Sequence, residues 1–277
     1  MKLTENVYVE TGYMGANVGY VTTKKGIIMI ETPQRPTDAI QWRERIKEMG
    51  EIKYLIHTEG HEDHVGGDFF FNVPIIAHDK TKERIMSADK KRFLDQINMM
   101  DKDGAHLVKD YEFKLPDITF SQNMNLNMGS HIFQLINTPG HTEGQTSVYI
   151  PEEKVVFTGD NVNYQMPAFM HESVPFAWLK SIKIIEDLDV NHIVPGHGET
   201  CNKDYLNEWA EFLQEWIDIV KNAINQGWTK EETVEKITMP SRFAPPPGAP
   251  VDMTEMLRNM NVTRLYDQLS EEGVMNE

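Results

Sequence analysis

A chain of 277 residues is long enough for one large domain, or for one domain with an appended helical piece. Its 40% hydrophobic and 25% charged residues are those of an ordinary globular protein, and no run approaches the roughly eighteen apolar residues of a membrane span. A formal net charge of −16 argues against nucleic acid or an anionic membrane as the main partner, and the single cysteine, Cys201, excludes an internal disulfide framework. With a start, Met1 to Asn6, that lacks the apolar core of a secretory leader, the cytoplasm is the expected compartment.

Residues 7–9, 18–22 and 26–31 alternate or cluster β-branched and apolar side chains between glycines and read as short strands. A helix is expected from Thr37 to about Met49, with Gly50 as its C-cap. Tyr54-Leu55-Ile56 then reads as a buried strand that runs straight into Thr58-Glu59-Gly60-His61-Glu62-Asp63-His64, followed by Val65-Gly66-Gly67. Glu59, His61, Asp63 and His64 can all bind a metal, and a turn leaving a strand end can aim alternate residues into one pocket. Imidazole nitrogen and carboxylate oxygen suit zinc, iron or manganese. The bland alternative is a polar loop that happens to hold two histidines. It fits poorly, because acidic and imidazole groups packed this densely repel or waste solvation unless an ion gathers them.

Pro74-Ile75-Ile76-Ala77 reads as a further strand, and residues 78–115 as a polar segment with Asp79 as N-cap and a helix over about 80–100. That segment is either a lid whose flexible methionines adapt to apolar ligands or an insertion packed on the surface or on a second subunit. Strand signals return at Met124–Asn127, His131–Asn137, Ser147–Ile150 and Val155–Phe157. An amphipathic helix follows over Phe176–Leu188, and then a last buried strand, His192-Ile193-Val194. Beyond Cys201, Leu206, Trp209, Phe212, Leu213, Trp216, Val220 and Ile224 recur at helical spacing up to Gly227. Thr229-x-x-Glu232 opens a short helix as a capping box, a proline-rich loop runs from Pro240 to Pro250, and a final helix spans Asp252 to about Leu269. Trp209, Trp216 and the Met253/Leu257/Met260 stripe read as core or dimer contacts, and on them rests the expectation of a homodimer.

Three further motifs follow the metal turn in order: Thr138-Pro139-Gly140-His141-Thr142, Phe157-Thr158-Gly159-Asp160 and Pro195-Gly196-His197-Gly198. Together the four resemble the metallo-β-lactamase superfamily, which carries His-x-His-x-Asp-His at such a turn. Here Glu59 stands in place of the first histidine. The resemblance runs from near residue 5 to about residue 200 and implies an α/β (αβ/βα) sandwich: two stacked mixed β-sheets flanked by helices. The implied organisation is a domain over 1–204, with 78–115 as its insertion or lid. A C-terminal helical extension, 205–277, would pack on that domain or on a dimer partner. Glu31 falls where the family commonly has an aspartate supporting the metal turn from behind.

The resemblance further implies two adjacent divalent ions, one held by Glu59, His61 and His141, the other by Asp63, His64 and His197, with Asp160 bridging. A hydroxide held between the ions would be the nucleophile, with Asp63 passing its proton to the leaving group. Tyr164 and His171 lie in a loop the family uses near the substrate and could protonate a leaving group or orient substrate. Zinc is the expected metal, with iron or manganese favoured at the first site by the oxygen of Glu59. Glu59 itself could be a ligand, a base or substrate contact beside a single ion, or a swung-out carboxylate. The expected function is a metal-dependent hydrolase acting on an ester, lactone, thioester or amide bond of a small molecule. The rival classes are a mononuclear iron oxidoreductase of the persulfide-dioxygenase type, whose ligand set includes the histidine Glu59 replaces, and a non-catalytic ligand binder on a disabled site.

Overall fold

The computed structural model describes residues 1–243 and 251–275. In chain order these form β1 (Val7–Glu10), β2 (Val18–Thr23), β3 (Gly26–Ile30), α1 (Pro36–Lys47), β4 (Ile52–Ile56), α2 (Glu62–Val65), β5 (Ile75–His78), α3 (Asp79–Met86), α4 (Lys90–Met100), β6 (Ile118–Phe120), β7 (Asn123–Met128), β8 (His131–Asn137), β9 (Thr146–Ile150), β10 (Val155–Asn163), α5 (Pro175–Asp187), β11 (His192–His197), α6 (Lys203–Asn225), α7 (Lys230–Lys236) and α8 (Val251–Met275). One sheet has the order β1-β2-β3-β4-β5-β6, antiparallel as far as β3 and parallel from there on. The other has the order β11-β10-β9-β8-β7, parallel only between β10 and β11.

Each sheet has two apolar faces because each is covered twice. The inner faces meet in one cluster, Val9, Ile28, Ile30, Ile56 and Ile76 against Phe133, Leu135, Val148 and Phe157. The outer face of the first sheet takes Ala39, Trp42 and Ile46 from α1, all fully buried. The outer face of the second, with Val156 and Ile193, takes Trp178 and Ile182 from α5, Trp209, Phe212 and Trp216 from α6, and Val262 and Leu265 from α8. Burial of each large apolar side chain contributes about 1.5–3 kcal/mol. The layers are helix, sheet, sheet, helix, as the motifs imply.

Several local expectations are refined. The helix expected over 80–100 is two, α3 and α4, because Asp89 turns its carboxylate onto the amide of Arg92 and starts a second helix. The cap of α3 is His78, whose ring accepts from the Lys80 amide; Asp79 is its first helical residue. The capping box at Thr229 and Glu232 forms in full. Trp209 and Trp216 are at most 1% exposed and Leu257 is fully buried, all within the protomer, so these side chains are not available to a second copy. The proline-rich loop expected over 240–250 lies, from residue 244 on, outside the described residues. Among the described residues no helix is long and apolar enough to cross a membrane.

Candidate metal centre

The two sheets present their strand ends along one edge, and every ligand-type side chain singled out above arises there. β4 ends at Ile56; His61 is the residue before α2, and its carbonyl accepts the amides of His64 (3.0 Å) and Val65 (3.2 Å). That single helical turn presents Asp63 and His64 beside Glu59. His141 comes from the β8–β9 loop, where its amide donates to Asn161 Oδ1 at 2.9 Å. Asp160 sits where β10 bulges against β11, its register shifting between Phe157 and Asn163. His197 closes β11, its amide donating to Asn163 Oδ1 at 3.2 Å. Asn17 pins the β11 turn from the other sheet, donating through Nδ2 to Pro195 O (2.9 Å) and Gly198 O (2.8 Å).

Close approach explains the glycine of the last motif. A Cβ at Gly196 would lie 1.9 Å from Asp160 Oδ1. Gly196→Ala is therefore expected to swing Asp160 out of place, lowering metal affinity by about 10–100-fold, the size of effect seen when a ligand loses its support. Titration with a competing chelator measures this, and wild-type affinity in a folded variant would refute it.

The side chains gather into overlapping groups. Glu59, His61 and His141 each offer a ligand atom within 4.8 Å of one another; so do Asp63, His64 and His197, and so do Glu59, His64 and Asp160. Asp160 faces both halves: Oδ1 lies 3.3 Å from His64 Nε2 and 3.3 Å from His197 Nε2, and Oδ2 lies 3.8 Å from His141 Nε2. Asp63 Oδ2 is 3.1 Å from His197 Nε2. Glu59 spans them too, with Oε2 against His61 Nδ1 and Oε1 3.4 Å from His64 Nε2 and 3.8 Å from His141 Nε2.

These groups suit a divalent cation by their own chemistry. Glu59 is fully buried and, apart from the contact of Oε2 with His61, its carboxylate has no hydrogen-bond partner; both ring nitrogens of His64 and Asp160 Oδ1 have none either. Leaving such groups unpaired costs about 1–3 kcal/mol each, more when charged. His141 Nδ1 donates to Phe169 O at 2.7 Å, which fixes the tautomer and turns Nε2 inward, where it meets His61 Nδ1 at 3.1 Å. Burial alone would raise the Glu59 carboxyl pKa, but the charges of His61, His64 and His141 hold it below the usual range. The set is nitrogen and oxygen without sulfur, which fits zinc, iron or manganese.

Behind the turn lies an arrangement that spacing did not reveal. His57 is fully buried between two carboxylates, Nδ1 2.9 Å from Glu31 Oε2 and Nε2 2.9 Å from Asp68 Oδ2. Glu31 also accepts the Thr58 amide at 2.7 Å and approaches His64 Nδ1 to 3.7 Å, so it supports the turn from behind as expected of its position. It does so from a left-handed backbone, φ 61°, uncommon for a residue with a Cβ. His57 is thus an ion-paired hub.

A cavity of about 280 Å³ opens over the groups, lined also by Glu62, Asn163, Met166, Phe169 and His171. His171 is thus brought to the centre, its ring 5.2 Å from that of His61 and 5.9 Å from that of His141. Burial and the charges of those two rings lower its pKa to about 4. Tyr164 is not brought there: its ring packs 4.8 Å from that of Tyr205 against the helical layer, and the cavity wall does not include it. Its expected place was beside the substrate; β10 ends at Asn163, and the chain beyond it turns the Tyr164 side chain to the helical layer. Glu172 went unnoticed in the sequence. Its Oε1 lies 3.4 Å from His61 Nε2, and Arg84 Nε donates to both of its oxygens at 3.0 Å. Cys201 packs against the helical layer, its thiol pushed up to about 12 by burial.

The model of the metallo-β-lactamase superfamily matches residues 11–197. A beta-lactamase-like protein 2 homolog of Caenorhabditis elegans is 27% identical over 176 residues, 61% of this chain and 52% of that protein, so the match spans about half the relative's length. A metallo-beta-lactamase type 2 of Elizabethkingia meningoseptica is 23% identical over 233 residues, 78% of this chain and 84% of the relative. Among solved structures, a metallo-beta-lactamase from Pontibacter korlensis superposes with a TM-score of 0.62 at 20% identity, over 77% of this chain and 97% of that one. With the matching model ending on His197, the last of the gathered histidines, and the same two-sheet fold beneath them, the chain belongs to the metallo-β-lactamase superfamily.

Proposed function

We propose that this chain hydrolyses an ester, lactone, thioester or amide bond of a small molecule, with divalent ions held by Glu59, His61, Asp63, His64, His141, Asp160 and His197. The observation that carries it is the gathering of ligand-type side chains from four strand-end turns beneath an open cavity, with atoms of Glu59, His64 and Asp160 buried and without hydrogen-bond partners. Glu59, His61 and His141 would hold one ion and Asp63, His64 and His197 the other, with Asp160 between. Zinc is the first choice of metal, and iron or manganese is favoured at the Glu59 side by its oxygen donor. Such ions supply a more acidic water and an electrophile for the substrate's carbonyl oxygen.

The chain's own groups do the rest. Asp63, 28% exposed and bordering the cavity, takes a proton from the attacking water and returns it to the leaving group. His171, at the cavity wall, positions the leaving group. Phe169 O and Glu172 hold the rings of His141 and His61 in the orientation that points their free nitrogens inward. Glu59 replaces a neutral imidazole with a carboxylate, so three carboxylates rather than two face the four positive charges of two divalent ions. The centre is a milder electrophile than the family's usual one. All these groups come from one chain, so the proposed chemistry needs no second copy. A cytoplasmic location remains part of the same proposal.

The test is a panel of nitrophenyl esters, lactones, thioesters and β-lactams offered to protein before and after chelation. Turnover of at least one class, lost with chelator and restored by zinc, iron or manganese, is expected; metal-independent turnover, or none with any class, would overturn the reading. Glu59 has its own test. Glu59→Gln keeps the shape, removes the charge and leaves a poorer ligand, so about one ion per chain should remain where the parent holds about two. Glu59→His should move the acid limb of the activity profile to lower pH, because the added positive charge acidifies the attacking water. A Gln variant that keeps both ions and an unchanged profile shows that Glu59 is no ligand.

A further inference from the structure

The charge of the cavity wall limits what can enter it. Beyond the ligand groups the wall is Glu62, Asn163, Met166, Phe169 and His171, and no lysine or arginine lines it among the described residues. The stretches 244–252 and 272–277 contain neither residue type in sequence. The arginines that come near are committed elsewhere. Arg92 Nη2 donates to Glu62 Oε1 at 2.9 Å, and Arg84 holds Glu172 through both oxygens. Beyond His171 and Glu172 lies a neighbouring cavity of about 350 Å³ that does hold cations, Lys80, Arg84 and Arg264, but Glu83, Glu143 and Glu172 face them in equal number. The reacting cavity therefore offers a substrate anion no lysine or arginine, and its carboxylates would face the ions or, at Glu62, arginine. Its remaining surface, Met166 and Phe169, is apolar and half-buried.

We propose, resting on the hydrolase reading above, that the group flanking the cleaved bond is uncharged and apolar, a short alkyl or aryl acyl chain received by Met166 and Phe169. A substrate carrying a carboxylate or phosphate at that place is refused. Such an anion, held at the acyl end away from the ions, would lose its hydration beside Glu62 without gaining a lysine or arginine partner, and like charges brought together in a partly buried site are a means of exclusion. The methionine's flexible thioether tolerates variation in chain length, so the discrimination is by charge more than by shape.

Zinc-loaded protein is offered three nitrophenyl esters of equal chain length: the pentanoate, the glutarate with a terminal carboxylate, and the 5-aminopentanoate with a terminal ammonium. The pentanoate should exceed both others in kcat/KM by about ten-fold or more; a glutarate or aminopentanoate turned over equally well overturns the proposal. Phe169→Arg should narrow the pentanoate-to-glutarate ratio by about ten-fold, and an unchanged ratio would remove Phe169 from the site. The amides pentanamide and glutaramate, each confirmed intact at the end of the run, are titrated calorimetrically in parallel. If no ester is turned over but pentanamide binds more tightly than glutaramate, the hydrolase reading fails while the charge selection stands. If glutaramate binds as well or better, the charge selection fails whatever the reaction is.

Discussion

Asp160→Ala is expected to bring turnover down by on the order of 10²–10³-fold or more. That exceeds the ~10–100-fold loss that follows removal of a group merely orienting a ligand. The reason is geometric. One oxygen of Asp160 faces His64 and His197, the other faces His141, so a single truncation removes a donor from both halves of the centre. It also removes one of the three carboxylates that would offset the charge of the proposed ions. The buried imidazoles left behind would be held near two cations with less compensation, and metal content should fall with activity. Asp160→Asn separates the two effects: it keeps the shape and one oxygen donor, so it should retain more metal than the alanine variant. Full metal content and full turnover in Asp160→Ala, in a protein whose circular dichroism is unchanged, would show that Asp160 does not bridge.

The largest loss of stability is expected at a residue that touches no substrate. His57→Ala leaves Glu31 and Asp68 facing each other in a fully buried space, and breaking a buried pair in this way costs about 3–5 kcal/mol. Burial alone would lower the His57 pKa, but Asp68 and Glu31 together raise it to about 10, above its unfolded value, so the ring is charged in the fold. Its contribution is fully present below the unfolded pKa near 6.5 and fades as pH rises towards 10. Burial would raise Glu31, yet the bond from His57 and the charges of His57 and His64 hold it at about 2, so its contribution is present above about 4.5 and fades as pH falls towards 2. Asp68 goes the other way, burial raising its carboxyl above the usual range. Stability from this network should therefore be greatest between about pH 4.5 and 6.5. In the alanine variant two carboxylates remain without their cation, so stability should go on improving on acidification below about pH 6.5, where the parent's does not. Urea melts in the presence of chelator read this without interference from metal loss. A variant as stable as the parent at pH 7 would mean that the three groups do not act as an ionic unit.

How much of this was legible in the chain depended on whether the signal was local. The turn from Thr58 to His64 could be read because strand, turn and ligands are contiguous, and the later motifs because each ends a strand. The two-sheet sandwich followed from the same strand signals and from the resemblance. What stayed hidden depends on contacts across the fold. His57 is ordinary in sequence; Glu31 and Asp68, 26 residues before it and 11 after, make it a charged hub. β10 runs on past Phe157 to Asn163 although Asn161 and Asn163 are polar, because their side chains bind the backbone of the loops carrying His141 and His197. Trp209 and Trp216 offered apolar surface enough for a partner, and the sheet with α5 and α8 uses it. Arg84, on the first helix of the 78–115 segment, holds Glu172 and lies 3.6 Å from Glu62, tying that segment to the metal turn in a way no spacing rule anticipates. The same contact bears on whether 78–115 is a lid, since a lid would have to open without breaking the arginine's hold.

Counting metal in the chain itself tests most directly whether the seven side chains spread from Glu59 to His197 form one metal centre. Protein stripped with chelator, exposed in turn to zinc, iron(II) and manganese, and freed of unbound ion by gel filtration, should retain about two ions per chain of at least one of these metals. The Glu59→Gln and Asp160→Ala variants treated in the same way should retain fewer. A wild-type chain that emerges from all three exposures with no bound metal would contradict the account at its root.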